Sequence, residues 1–198
     1  MRISFDLDDT LICYQSSVPK EKNRIPWVLR RWLTEPLRLG SVELIRALQA
    51  HGWEVWVYTT SGRSRWLVSC WLWFYGIRVA GVINDRVYQK YLQRHRIHDY
   101  PSKNARWFGM DLHVDDSQGV WQEGQQYGFN VHVVSLTDTH WCQGVLAAAD
   151  RVMAAGGKRT AESPLSLRFQ KNGMRNRCQK LSAAYVRVDD GTRRYPLA

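Results

Sequence analysis

The chain has 198 residues, 44% of them apolar, and a formal net charge of +10. That is the length of one domain with enough apolar matter for a packed core, and no apolar run is long enough to span a bilayer. The first residues read as a strand and not as a signal peptide, and Cys13, Cys70, Cys142 and Cys178 stand far apart with no C-x-x-C pair, so a zinc site and a disulfide framework are not expected. The expectation is a cytoplasmic protein with reduced thiols and no membrane partner.

In chain order, residues 2–5 are a short apolar strand. Residues 11–39 have no clean period and hold Pro19, Pro26 and Pro36, with a short helix expected around residues 27–33. Residues 41–51 follow the helix period, with Ser41 as the expected N-cap and Gly52 just past the end. Residues 54–58 (EVWVY) are a strand, and residues 64–75 an apolar, aromatic helix that stops at Gly76. Residues 79–83 are a third strand. Residues 88–102 are polar and hold His95, His98 and Pro101, and they read as a loop. Residues 112–115 are a strand, 120–127 a helix closed by Gly128, 131–134 a strand, and 141–155 a helix ended by Gly156 and Gly157.

Strands that alternate with helices predict an α/β fold: a central parallel sheet in a three-layer, Rossmann-like sandwich. The expected division is a catalytic domain over residues 1–155 and a basic, flexible tail over 156–198. The ten Trp residues read as core and interface packing and not as base-stacking surfaces.

Four short segments carry chemistry, all but the third at an expected strand end, where parallel sheets place their ligand sites. In the first, Phe5-Asp6-Leu7-Asp8-Asp9-Thr10, a strand runs into three carboxylates. Crowding that much negative charge is costly without a nearby cation, and hard oxygen donors suit Mg²⁺. In the second, Tyr58-Thr59-Thr60-Ser61-Gly62-Arg63-Ser64, a strand delivers a hydroxyl and a Gly loop opens a helix. Hydroxyl and free N–H groups there make a phosphate cradle. The third is Lys103, twelve residues before Asp115. The fourth is a strand that ends in Asp115-Asp116.

The order and spacing of these segments resemble the four motifs of the haloacid dehalogenase (HAD) superfamily. The run from Tyr75-Gly76-Ile77 through Pro101-Ser102-Lys103 to Val114-Asp115-Asp116-Ser117 is also similar to a family of uncharacterised HAD-like hydrolases. The resemblance implies a Mg²⁺-dependent phosphatase. Asp6 would be the nucleophile that becomes an aspartyl-phosphate, and Asp8 the acid and base. Thr59, or alternatively Thr60, and Lys103 would hold the phosphoryl group. Asp6, Asp8 through its carbonyl, Asp115 and Asp116 would hold the metal. A carboxylate two residues after the nucleophile sets phosphatase-like members apart from dehalogenases. In that family caps select the substrate, and residues 11–39 leave room for a minimal cap only.

The charge is uneven. Residues 1–150 hold 17 basic and 15 acidic residues, a net of +2, whereas residues 151–198 hold 11 and 3, a net of +8. A phosphorylated substrate is expected. Two other classes stay open: a polynucleotide-end phosphatase that grips nucleic acid through the basic tail, and a non-catalytic binding module on the same fold.

Overall fold

In this computed structural model the structure describes residues 1–156. The expected tail over residues 156–198 therefore falls, but for Gly156, outside the described residues. Five strands form one all-parallel sheet: β1 (Arg2–Phe5), β2 (Glu54–Tyr58), β3 (Gly81–Ile83), β4 (Leu112–Asp115) and β5 (Val131–Val133), in the order β3-β2-β1-β4-β5. Five helices join and cover them: α1 (Ser41–Ala50), α2 (Arg65–Phe74), α3 (Asp85–His95), α4 (Gln118–Tyr127) and α5 (Trp141–Ala154). The expected α/β class and Rossmann-like sandwich are what is observed. Among the described residues no helix is long and apolar enough to cross a membrane.

The sheet has two unlike faces, because side chains alternate along each strand. Ile3 and Phe5, Val55 and Val57, and Leu112 and Val114 share one face and join the main apolar core with Leu44, Ile45 and Leu48 of α1, Trp71 and Leu72 of α2, and Val145 of α5. Each such side chain contributes about 1.5–3 kcal/mol by leaving water. The other face carries Ser4, Trp56, Tyr58, His113 and Asp115. Here the cover is aromatic: the Tyr58 ring lies 6.1 Å from Tyr88 of α3 and 5.4 Å from Phe108. Gly81 pairs with Trp56 in register, and a Cβ on it would stand 2.3 Å from the indole. Only glycine fits there.

The chain runs from β1 outward through β2 to β3, then returns to the far side of β1 to make β4 and β5. The direction of winding thus reverses between β1 and β4, and a crevice opens beyond their carboxyl ends.

Three local expectations are corrected. Residues 88–102 are not all loop, since α3 occupies Asp85–His95. Its buried stripe is Tyr88, Tyr91 and Leu92, and its N-cap is Asn84, whose side chain accepts from the Val87 N–H. Tyrosines carry most of that stripe, so a reading that counts hydroxyls as polar misses the period. Ser41 does not cap α1. Gly40 is the N-cap, at φ +89°, and the Glu21 carboxylate accepts from the Gly40 and Val42 N–H groups instead. The helix expected around residues 27–33 is one 3-10 turn, Trp27–Leu29. A fourth correction is chemical: the expected reduced thiols are found at Cys13 and Cys142, whereas Cys70 is disulfide-bonded.

Candidate active site

β1 delivers Asp6 to the crevice, and the strand ladder holds it there: the Asp6 N–H donates to the Val114 carbonyl at 2.9 Å. β4 delivers Asp115 beside it. The Lys103 ammonium donates to both, at 2.6 Å to Asp6 Oδ1 and 2.6 Å to Asp115 Oδ2. All three side chains are buried, Asp6 at 6%, Lys103 at 4% and Asp115 at 1% exposure. Short charge-assisted bonds of this kind are strong, and they lock both carboxylates to one point.

A polar chain that sequence reasoning missed lies under this triad. His113 Nε2 stands 2.9 Å from Asp115 Oδ2, and its Nδ1 stands 2.9 Å from Ser4 Oγ. Ser4 and His113 are register partners on the two central strands, both fully buried. Interior strands of parallel sheets are normally apolar on both faces, so this pair is a departure from the rule. It satisfies itself by hydrogen bonding and passes the last bond to Asp115. The Ser117 N–H completes the Asp115 shell at 2.9 Å.

These contacts set the charges. Burial raises the Asp6 carboxyl, and Lys103 only partly counters it. Burial would raise Asp115 too, but the hydrogen bond and charge of His113, then Lys103, outweigh it and hold the carboxyl well below the usual range. Burial would lower the Lys103 ammonium, whereas Asp6 and Asp115 together raise it. Asp116 is exposed at the rim, and its carboxyl is raised by partial burial and by Asp115.

Asp8 is not in this triad. It sits at the end of a tight loop in which Leu11 and Ile12 N–H groups both donate to the Leu7 carbonyl, and Asp9 takes a left-handed φ of 56°. Arg63 grips Asp8 with two prongs, Nη1 to Oδ2 at 2.7 Å and Nη2 to Oδ1 at 2.9 Å. The same guanidinium reaches Glu35 Oε1 at 3.3 Å and Tyr14 Oη at 3.0 Å. Asp8 above all, against the cost of burial, raises the Arg63 pKa. Burial and then Glu35 push the Tyr14 phenol up to about 12. Arg63 is a site residue whose only signal in the sequence is its place after Gly62. Its grip spans 55 residues of chain.

Thr59 is buried two residues beyond the Phe5–Val57 pair, and its Oγ1 accepts from the Ser61 N–H at 3.1 Å, which leaves the O–H to donate. Thr60 is exposed. The structure thus gathers Asp6, Lys103 and Asp115 in direct contact, with Asp8 and Thr59 at neighbouring strand ends and Asp116 at the rim.

Among the described residues no three His, Cys, Asp or Glu side chains converge as a metal-binding group. The electrostatics nonetheless fit a cation. Two buried carboxylates share a single ammonium, and Asp116 stands at the rim beside them, so three carboxyl groups gather around Lys103. Hard oxygens are the donors that Mg²⁺ takes.

No family model and no curated protein matches this chain. Among solved structures it is similar to one described as a predicted HAD-like family hydrolase from Porphyromonas gingivalis, at 12% identity and a TM-score of 0.41, over 77% of this chain and 97% of that one. A likeness that loose carries no functional weight, and the reading below rests on the residues.

Proposed function

We propose that the protein is a phosphatase of HAD type that hydrolyses phosphomonoesters through an aspartyl-phosphate on Asp6. The observation that carries this is the buried Asp6–Lys103–Asp115 triad at the point where the sheet reverses its winding. A carboxylate nucleophile must be anionic and fixed, and the Lys103 ammonium favours the anion against burial while its hydrogen bond fixes the side chain.

In this reading Asp6 Oδ attacks phosphorus and the ester oxygen leaves with a proton from Asp8. Water then attacks the acyl phosphate, giving its proton to Asp8 and releasing Asp6. Lys103 and the Thr59 hydroxyl hold the phosphoryl oxygens. His113 acts on Asp115, not on substrate: it holds the carboxylate in place from below. Arg63 keeps Asp8 turned toward the crevice. An entering phosphate competes for the same guanidinium, and that exchange frees Asp8 to carry a proton. A Mg²⁺ held by Asp6, the Asp8 carbonyl, Asp115 and Asp116 would neutralise charge on the transferring group.

The deciding experiment is Asp6→Asn with a chromogenic aryl phosphate. Turnover should fall at least a thousandfold with the fold retained by circular dichroism, and acid quench of wild type should trap label on Asp6. Near-normal turnover in Asp6→Asn would rule out the covalent route.

A further inference from the structure

Residues 11–39 fold as an insert between β1 and α1, closed on itself by bridges of Ile12 with Leu37 and of Lys20 with Arg38. Its apolar residues are sorted backwards. The smaller ones, Ile25, Leu33 and Leu37, are buried, whereas its two largest, Trp27 and Trp32, are 73% and 66% exposed. Burial of an indole is worth more than that of any side chain the insert does bury. Trp53, Trp56, Trp71 and Trp141 are buried, and the next most exposed indole among the described residues, Trp121, is 41% exposed, well below these two. Within this chain, these two indoles take no part in the buried core.

The charges around them are of one sign. Lys22, Arg24, Arg30 and Arg31 are exposed. The insert's two acids, Glu21 and Glu35, are both engaged, Glu21 with the first N–H groups of α1 and Glu35 with Arg63 and Tyr14. The outer surface thus presents bare indoles among unneutralised cations. The insert is also tied to Asp8, just beyond β1, through Arg63. Trp32 is three residues from Glu35, a reach of about 10 Å at most, and Glu35 shares Arg63 with Asp8. The Trp71 indole N–H pins the Glu35 carbonyl at 3.0 Å, so the link is held on the α2 side.

We propose that the insert is a platform for single-stranded nucleic acid, on which bases stack against Trp27 and Trp32 while Lys22, Arg24, Arg30 and Arg31 follow the phosphates. Stacking is open to every base and a basic surface tracks the backbone, so the platform is insensitive to sequence and sensitive to salt. Joined to the phosphatase reading, on which this second step rests, it makes the substrate a polynucleotide whose terminal phosphate is led to Asp6.

The test compares the full chain with Trp27→Ala/Trp32→Ala, Trp27→Phe/Trp32→Phe and Arg30→Glu/Arg31→Glu. Fluorescence anisotropy reads binding of a 5′-phosphorylated single-stranded 12-mer and, as a competitor, poly-glutamate. Turnover of an aryl phosphate is followed alongside. The Ala pair should weaken oligonucleotide binding about tenfold or more, the Phe pair should restore most of it, and aryl phosphate turnover should stay within about twofold of wild type. The Glu pair should weaken binding and flatten its salt dependence. An Ala pair that binds like wild type overturns the platform. So does poly-glutamate bound as tightly as the oligonucleotide, because that marks an acidic-peptide surface. The two readings fail separately. Oligonucleotide binding lost with the indoles upholds the platform even if no phosphoester is turned over, whereas turnover of aryl phosphate without oligonucleotide binding removes the platform alone.

Discussion

Arg63 forks Asp8 at 2.7 and 2.9 Å while its own Nη2 also reaches Glu35 and Tyr14, so one guanidinium ties these three side chains together. The Asp8 side chain is 43% exposed and Arg63 29%, so water screens the pair and its loss should cost stability only about 1 kcal/mol. Its effect on chemistry should be larger. Arg63→Lys keeps the charge and loses the fork, and Asp8 then samples other rotamers. The expected outcome is an aryl phosphate kcat lowered about tenfold with a melting temperature within a few degrees of wild type. A kcat that rises would mean that the fork restrains Asp8 and does not aim it.

Asp115 should dominate the pH dependence of stability. Its folded pKa is depressed, so its contribution is present above the ordinary carboxylate range and is lost as pH falls through the folded value. Asp115→Asn leaves Lys103 and His113 facing a neutral group in the interior, at a cost of about 3 kcal/mol at neutral pH. Denaturant unfolding in chelator, from pH 7 down to pH 2, should show the gap between wild type and Asp115→Asn closing on the acid side. A gap that stays constant with pH would mean that the carboxylate charge is not what the site is built on.

Much of this was legible before the structure. Strands β1, β2 and β4 announce themselves because an apolar run stops at Asp6, Thr59 or Asp115, and the carboxyl ends of parallel strands are where polar residues collect. Lys103 is singled out by the resemblance, through its spacing to Asp115, and its ammonium meets Asp6 and Asp115. The residues that escaped act across long stretches of chain. Arg63 finds Asp8 55 residues away, and Ser4 finds His113 109 residues away. A trace of the second pair was present: a serine inside a central strand, and a histidine two residues before Asp115, on the same face by alternation. The α3 stripe was hidden for a different reason, since Tyr88 and Tyr91 supply apolar rings under a polar name.

Cation dependence follows from the carboxyl groups of the crevice. With Asp6, Asp115 and Asp116 gathered around the one Lys103 ammonium, a divalent cation should bind and should be needed for turnover. Excess chelator should abolish aryl phosphate hydrolysis, added Mg²⁺ should restore it, and Asp116→Asn should weaken Mg²⁺ binding by calorimetry about tenfold. Full turnover in chelator would show that Lys103 alone suffices at the carboxylates.

The basic segment after Ala155 should be separable from the chemistry. The strands and helices that build the crevice are complete by Ala154, where α5 ends. Residues 156–198 carry 10 basic and 3 acidic residues, a net of +7. Truncation after Ala155 should therefore leave aryl phosphate turnover and melting temperature unchanged. The selective loss should be electrostatic. Affinity for the single-stranded 12-mer should fall, and the slope of its logarithm against the logarithm of salt should become shallower, because fewer cations are released from the nucleic acid. What survives at high salt should be the part owed to stacking, and it should vanish when Trp27→Ala/Trp32→Ala is added to the truncated chain. A truncated protein that aggregates, or melts many degrees lower, would place the segment within the folded unit and move the domain boundary beyond Ala155.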